Sequence, residues 1–393
     1  MDTKCIIEIG GAASQCHAVE ILKSWGYYVI VVDLDDKCAG SVLADKFYNV
    51  STSDVDSIVD IAKKENACAV FSVQSDLGMM TAARVSEILG LKGTPLEIVE
   101  LFTNKSRMRD FLKNNGYLYP EYRMCYSDED IKEFAENNGY PFVIKPLNSQ
   151  GSRGVKIIEN EDMLPRLENS EQYNRGINGV IVEDYLGNEE YTVEGIVIEG
   201  KHYTLGISQK THYENLNCVS KELYYSWSPE YDELISSHNH LIELTGLPFG
   251  ITHSEYIKSK KGFILVEFAA RGGGSMIASH VVPAISGWDV EEIYLRELLD
   301  EEVIIKKQEH NYSVLKFLEL EERIIGRIEG IDDILAMESI LHFELHYGVG
   351  DKVQPVLNDT NRHGFYIAWA KSAEELHEVM NKVEKILKVI YKE

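Results

Sequence analysis

The stretch His253-Ser254-Glu255-Tyr256-Ile257-Lys258-Ser259-Lys260-Lys261-Gly262-Phe263-Ile264-Leu265-Val266-Glu267-Phe268 constrains the fold more than any other part of the chain. Two short runs rich in aromatic and β-branched residues flank Lys260-Lys261-Gly262, which predicts a β-hairpin. A three-residue loop places its last residue in the left-handed region, where glycine carries no steric cost, and Gly262 stands there. The implied register sets Ser259 against Phe263, Ile257 against Leu265 and Glu255 against Glu267. Two carboxylates then face each other with ~5 Å between their Cβ atoms, which destabilises a sheet unless a cation lies between them. Such a pair suits Mg²⁺, which takes one or two carboxylates together with phosphate oxygens and water. A solvated hairpin whose glutamates merely align is the plainer alternative. Arg271, leading into Gly272-Gly273-Gly274, weighs towards a site that handles anions.

A chain of 393 residues has room for two or three domains and a large core. Its formal net charge of −25 argues against non-specific binding to nucleic acid or to anionic membranes. A phosphorylated small ligand answers only to the local field and stays open. The longest apolar runs are strand-sized and Met1-Asp2-Thr3-Lys4 leads straight into a strand, so neither a signal peptide nor a membrane span is expected. Cys5, Cys16, Cys38, Cys68, Cys125 and Cys218 show no metal-ligand spacing and are expected as reduced thiols of a cytoplasmic protein.

Strands over 4–9, 27–32 and 68–73 alternate with helices after Ser14, near 53–65 and from Asp76 to Leu89, which implies a parallel sheet with right-handed crossovers. Gly10 and Asp33 invite a dinucleotide reading, but Gly10-Gly11-Ala12-Ala13-Ser14-Gln15 has glycine at only the first of the three required positions. These glycines are expected to turn the chain at the carboxyl edge of the sheet, which Ser75-Asp76 shares; Asp76 needs no role beyond capping its helix. Gly93-Thr94-Pro95 opens a connection, and a helix over Asn104–Asn114 carries Lys105 near its start, where a phosphate would meet both lysine and helix dipole. Pro141–Lys145 reads as a strand ending in a lysine, followed by a small-residue loop, Ser149-Gln150-Gly151-Ser152-Arg153-Gly154. The GxxxxGK[ST] order of a P-loop is absent, yet such a loop can close over phosphates with its backbone N–H groups. Val180–Val182 and Tyr191–Val197 read as strands joined by a linker that sets carboxylates beside open backbone groups.

In order along the chain, Lys105, Lys145 with its loop, Glu183-Asp184-Tyr185-Leu186, Glu190, the Glu255/Glu267 pair and Arg271 resemble the ATP-grasp superfamily. The resemblance implies an α/β and α+β chain with three parts. A Rossmann-like parallel-sheet domain would occupy 1–103, and the ATP-grasp fold of two α+β subdomains 104–300, its lid over about 120–185. A separate C-terminal α+β lobe would follow over 301–393. The resemblance further implies that Lys105 and Lys145 contact the phosphates of ATP under a cover formed by Ser149, Gln150, Gly151, Ser152 and Gly154. Glu183, Asp184, Tyr185 and Leu186 would frame the adenine, Glu190 the ribose, and Glu255 and Glu267 would hold Mg²⁺ or Mn²⁺. Arg271, together with Lys145, would serve the reaction itself. Many members carry asparagine two residues after the second metal glutamate, where this chain has Ala269. Glu267-Phe-Ala-Ala-Arg-Gly-Gly-Gly-Ser-Met276 looks like the bacterial L-amino-acid (dipeptide) ligase branch, and Asp184 replaces a lysine of the D-alanine–D-alanine ligases. The implied function is an ATP-dependent carboxylate–amine ligase acting through an acyl-phosphate on small molecules. A phosphoribosylamine–glycine ligase-like or carbamoyl-phosphate-type enzyme, or a nucleotide-binding protein without turnover, are the alternatives. His253, Met276, Ser279 and His280 flank the hairpin and glycine run and are candidates for the substrate pocket.

Beyond 301, strands are expected over 312–318, 341–347 and Gly364–Ala370. A last amphipathic helix places Leu376, Val379, Met380, Val383, Ile386, Leu387 and Ile390 on one face, as core or as the contact of a homodimer. His342, His346 and His363 lack an acidic cluster at ligand spacing and are read as satisfied or exposed histidines.

Overall fold

The computed structural model describes residues 4–146, 154–167, 179–214 and 216–392, with the side chains of 216–218 left aside. Four parallel strands, β1 (Cys5–Ile9), β2 (Tyr28–Asp33), β3 (Lys46–Asn49) and β4 (Ala67–Phe71), form the first sheet in the order β3-β2-β1-β4. β1 is buried at every position, as a parallel strand covered on both faces must be. The helix Asp76–Leu89 has the bounds that the sequence predicts, because the Ser75 hydroxyl caps Gly78 N–H at its start and Gly90 closes it in the left-handed conformation. The edge strand β3 and the helix Leu96–Thr103 were not expected: the first is four residues of mixed character, and the second lies in the stretch read as a connection.

The sheet of β5 (Tyr122–Cys125), β6 (Phe142–Pro146), β7 (Lys156–Ile158) and β8 (Val180–Asp184) has the order β5-β8-β6-β7 and closes on Ile131 and Phe134 of the helix Asp128–Asn138. The centre of the molecule is an eight-stranded antiparallel sheet. It comprises β9 (Glu190–Ile198), β10 (Lys201–Tyr213), β11 (Leu216–Tyr225), β12 (Gly250–Ser259), β13 (Gly262–Ala269), β14 (Tyr312–Phe317), β16 (Ile340–Leu345) and β17 (Gly364–Ala370), in the order β13-β12-β9-β10-β11-β14-β17-β16. The segment beyond 301, expected as a separate lobe, thus shares its sheet with the central strands. One apolar core runs from Ile6, Leu22 and Phe71 of the N-terminal sheet through Ile196, Ile251 and Ile285 to Leu315 and Ile367.

The final amphipathic stripe is corrected at its end. The helix stops at Ile386, and β18 (Lys388–Tyr391) pairs with β15 (Ile325–Glu329), leaving Ile390 41 % exposed on a strand. Leu376, Val379 and Val383 pack on Val314, Tyr366 and Ala368, so the stripe is core. Cys5, Cys16, Cys38, Cys68 and Cys125 are free thiols. Among the described residues no helix is long and apolar enough to cross a membrane.

Candidate active site

The hairpin β12–β13 places Glu255 directly opposite Glu267, as its sequence predicts, but by a different route. Ser259 pairs with Gly262, so the loop has two residues, Lys260-Lys261, and Gly262 (φ +116°) begins the return strand. A bulge between Glu255 and Tyr256 then leaves Val266 without a partner in the ladder and restores the Glu255–Glu267 pairing. The Val266 carbonyl accepts a hydrogen bond from Arg109 Nη2 at 2.7 Å. The two departures from the expected register cancel where they matter.

A cavity of about 440 Å³ opens beside this hairpin, lined by residues of the β5–β8 sheet and of the central sheet, with Gln74 from the segment that follows β4. Its lining includes Lys105, Lys145, Glu183, Asp184, Tyr185, Leu186, Glu190, Glu255, Glu267, Ala269 and Arg271. Lys105 follows Asn104, whose side chain caps Arg107 N–H, and its ammonium lies 3.6 Å from Glu267 Oε2. Lys145, near the end of β6, donates to Glu183 Oε2 at 2.8 Å, while Arg109 Nε donates to Glu183 Oε1 at 2.6 Å. Burial pushes the Glu183 carboxyl up, but the two cations outweigh it and hold it down at about 2. Glu183, expected beside the adenine, therefore has both oxygens in ion pairs. Asp184 accepts from Asn138 Nδ2 at 3.4 Å, and burial raises its carboxyl above the usual range. Ser149, Gln150, Gly151 and Ser152 lie outside the described residues; Gly154 is left-handed (φ +81°).

Lys210, which sequence reasoning passed over, joins Glu190 Oε1 at 2.5 Å to Glu255 Oε1 at 2.6 Å. His212 Nε2 lies 2.8 Å from the other Glu190 oxygen. Against the cost of burial, the Lys210 ammonium holds the Glu190 and Glu255 carboxyls below their usual range. His253 Nδ1 lies 2.9 Å from Glu194 Oε2, and its Nε2 lies 3.7 Å from Glu255 Oε1. Burial opposes its charge, yet Glu194 and then Glu255 push the imidazole up to about 9, so both ring nitrogens carry protons at neutral pH. Tyr225 Oη donates to Glu194 at 3.1 Å and fixes the far side of this pair.

Arg271 is held from outside the central sheet. Its Nε donates to Asp76, the first residue of the helix Asp76–Leu89, its Nη1 donates to the Gly272 carbonyl at 2.9 Å, and Gly272 N–H donates to Val73 O at 2.9 Å. The carboxyl edge of the N-terminal sheet thereby supplies one wall of the site. At that edge Asp33 accepts from Gly11 N–H at 2.8 Å, and a Cβ on Gly11 would meet Cys38 Sγ at 2.4 Å, so this turn is closed by protein groups. Of the candidate substrate residues, His253 lines the cavity; Ser279 Oγ instead lies 2.9 Å from His280 Nδ1, and Met276 adopts a left-handed conformation (φ +61°). Both ring nitrogens of His363 are engaged, by Leu320 N–H and Gln354 O, and His342 and His346 share Glu344. Among the described residues no group of three or more His, Cys, Asp or Glu side chains is placed to hold a metal. A cation here would rest on the opposed Glu255 and Glu267.

The sequence patterns of two families match this chain: the ATP-grasp domain over residues 138–279, and the L-amino acid ligase C-terminal domain 2 over residues 317–392. It is similar to the carbamoyl phosphate synthase large chain of Pseudothermotoga lettingae, 23 % identical over 85 % of this chain but only 33 % of that one. It is also similar to the phosphoribosylamine–glycine ligase of Pyrococcus furiosus, 23 % identical over 68 % of this chain and 66 % of the other. The chain thus spans about a third and about two thirds of these relatives. Among solved structures, an L-amino acid ligase from Bacillus licheniformis superposes with a TM-score of 0.81 at 18 % identity, covering 100 % of this chain and 99 % of the other. Phosphoribosylglycinamide synthetase from Anaerococcus prevotii does so with a TM-score of 0.78 at 15 % identity, covering 100 % of both. The chain carries an ATP-grasp domain followed by a C-terminal domain of the L-amino acid ligase type.

Proposed function

We propose that this chain is an ATP-dependent, ADP-forming ligase that activates a carboxylate as an acyl-phosphate and passes it to an amine, joining amino acids or close relatives of them. The observation that carries the reading is the convergence on one cavity of the opposed Glu255 and Glu267, Lys105 from a helix and Lys145 from β6, and the tethered Arg271. A carboxylate is a poor electrophile at neutral pH and must first take the γ-phosphoryl group. Glu255 and Glu267 fit a divalent cation of the Mg²⁺ or Mn²⁺ kind, which needs few protein oxygens and keeps positions for phosphate and water. Ala269 faces the same cavity without a donor, so these two carboxylates are the set. When bound, the cation would neutralise charge on the β- and γ-phosphate oxygens.

Lys105 and Lys145 donate to the phosphates, with Lys145 aimed by Glu183 and Arg109 beneath it. Tyr185 and Leu186 border the adenine, and Glu190 meets the ribose through lone pairs left by Lys210 and His212. Arg271, fixed by Asp76, stabilises the oxyanion as the amine attacks and phosphate leaves. The C-terminal match favours amino acids over phosphoribosylamine–glycine or carbamoyl-phosphate chemistry, which would use the same ATP residues. The test is ADP release in a screen of amino-acid pairs, with Lys145→Ala as control. Stimulation ~100-fold above that variant is expected for the true pair; the absence of any stimulating pair would leave a nucleotide-binding protein without turnover.

A further inference from the structure

We propose that Arg362 anchors a carboxylate that the reaction does not consume, on a substrate extended enough to run from the Glu255/Glu267 hairpin to the C-terminal segment. This deepens the ligase reading and rests on it. Arg362 lines the same cavity as Glu255, Glu267 and Arg271, beside Asp359 and Thr360. It is 9 % exposed, its guanidinium lies 3.6 Å from the centre of the Phe317 ring, and its Nη2 donates to Asp359 Oδ1 at 2.6 Å. Its Nε is buried with no partner, and so is the hydroxyl of Tyr213. Buried donors of a cation that lack acceptors are costly, and a ligand carboxylate would supply the acceptors; the planar guanidinium suits a carboxylate in two-point contact.

The position in the sheet says which anion this is. Phe317, under the guanidinium, stands on β14, four strands from β12 in the order β12-β9-β10-β11-β14. At ~4.8 Å per strand the sideways span is roughly 19 Å, and Phe317 stands four residues further along β14 than Ser313, which the ladder sets in line with Glu255 through Thr192, Ser208 and Tyr225. Glu255 on β12 and Glu267 on β13, with Lys105 3.6 Å from Glu267, stand strands away from Phe317, so Arg362 is set apart from the phosphates they would hold. Its ligand is the remote carboxylate of the substrate itself. A dipeptide, which spans ~7 Å, or an amino acid with a second carboxylate on a long side chain carries such a group, with the Arg362 and glutamate side chains and the phosphate between them covering the rest of the distance.

The experiment compares alanyl dipeptides, dicarboxylic amino acids and the remaining L-amino acids, each as the free acid and as the amide of its non-reacting carboxylate, in the ADP-release assay. For the wild type, amidation is expected to raise KM for that substrate at least tenfold with KM for ATP unchanged. Arg362→Lys and Arg362→Gln are expected to raise KM for the free acid by a similar factor and to erase the difference between acid and amide. Amidation on the donor or on the acceptor then says which substrate bears the anchored group. Equal KM for acid and amide in the wild type, or a difference that persists in both variants, would overturn the proposal, and the wild-type comparison stands even if a variant fails to fold. If no pair releases ADP, the ligase reading has failed, and calorimetric titration of alanylalanine and alanylalanine amide into wild type and Arg362→Lys decides the anchor separately. Preferential binding of the free acid by the wild type alone supports it, and indifference overturns it.

Discussion

Glu183 is 2 % exposed and nevertheless ionised, because Arg109 and Lys145 each take one of its oxygens. Removing one member of such a buried group leaves an uncompensated charge, which costs far more than the intact group contributes. Glu183→Gln is therefore expected to destabilise the fold by about 3–5 kcal/mol and to release Lys145 from its aim. Urea unfolding measures the first effect and KM for ATP the second; a variant with wild-type stability would show that Arg109 finds enough acceptors in Val266 O alone. At Glu267 the neutral isostere asks a different question. Glu267→Gln should lose turnover by ~1000-fold or more through loss of a metal ligand, and an unchanged Mg²⁺ dependence of any residual activity would remove Glu267 from the metal site. These residues differ in how visible they were. Glu255, Glu267, Lys145 and Arg271 stand in local patterns of strand, loop and glycine run. Arg109 acts through a partner 74 residues away, Lys210 through partners 20 and 45 residues away, and their own surroundings in sequence look like an ordinary helix and strand.

The N-terminal helix Asp76–Leu89 shows what an element contributes beyond its own packing. Its bounds were legible because Ser75 and Gly90 are a cap and a left-handed stop. Its function was not, because the residue that matters, Asp76, meets Arg271 from 195 positions away. Asp76→Ala should leave the helix capped by Ser75 but free the guanidinium. Loss of about 10–100-fold in kcat with KM for ATP unchanged is expected, since a misplaced oxyanion donor acts after the nucleotide is bound. A rise in KM for ATP at constant kcat would instead assign Arg271 to the phosphates of the ground state. The strands follow the same rule. β1 and β2 announce themselves as apolar runs, broken within β1 only by Glu8 and closed in β2 by Asp33, whereas β18 continues the apolar period of the preceding helix and becomes a strand only because β15 offers it an edge. The hairpin succeeded by compensation: the loop was read one residue too long, and the bulge at Val266, which no local signal marks, put Glu267 back opposite Glu255.

At the scale of the whole molecule, the core that joins the N-terminal sheet to the rest buries two carboxyl groups. Glu8 on β1 and Glu291 on the helix Val290–Leu298 are both fully buried, and all four of their oxygens lack a partner. Next to them, His17 Nε2 meets Asp289 Oδ2 at 2.8 Å. Burial pushes the Glu291 carboxyl up to about 8, and it pushes Glu8 well above its usual range, with the Glu291 charge adding to the effect. Folding therefore favours the protonated form of Glu291, whereas the unfolded chain releases that proton near the ordinary value of 4.5. Below 4.5 both states hold the proton and no stability is lost. Between about 4.5 and 8 the folded state holds a proton that the unfolded state has given up, so stability falls as pH rises, and above 8 the whole penalty applies. Glu291→Gln removes the titration while keeping the shape. It is expected to match the wild type near pH 5 and to exceed it at pH 8 by on the order of 3–5 kcal/mol, read from urea unfolding at a series of pH values. Curves for the two proteins that run parallel from pH 5 to pH 8 would show that Glu291 is already ionised in the fold, paired through water or through His17, and that the N-terminal domain is joined to the site without a proton held at the junction.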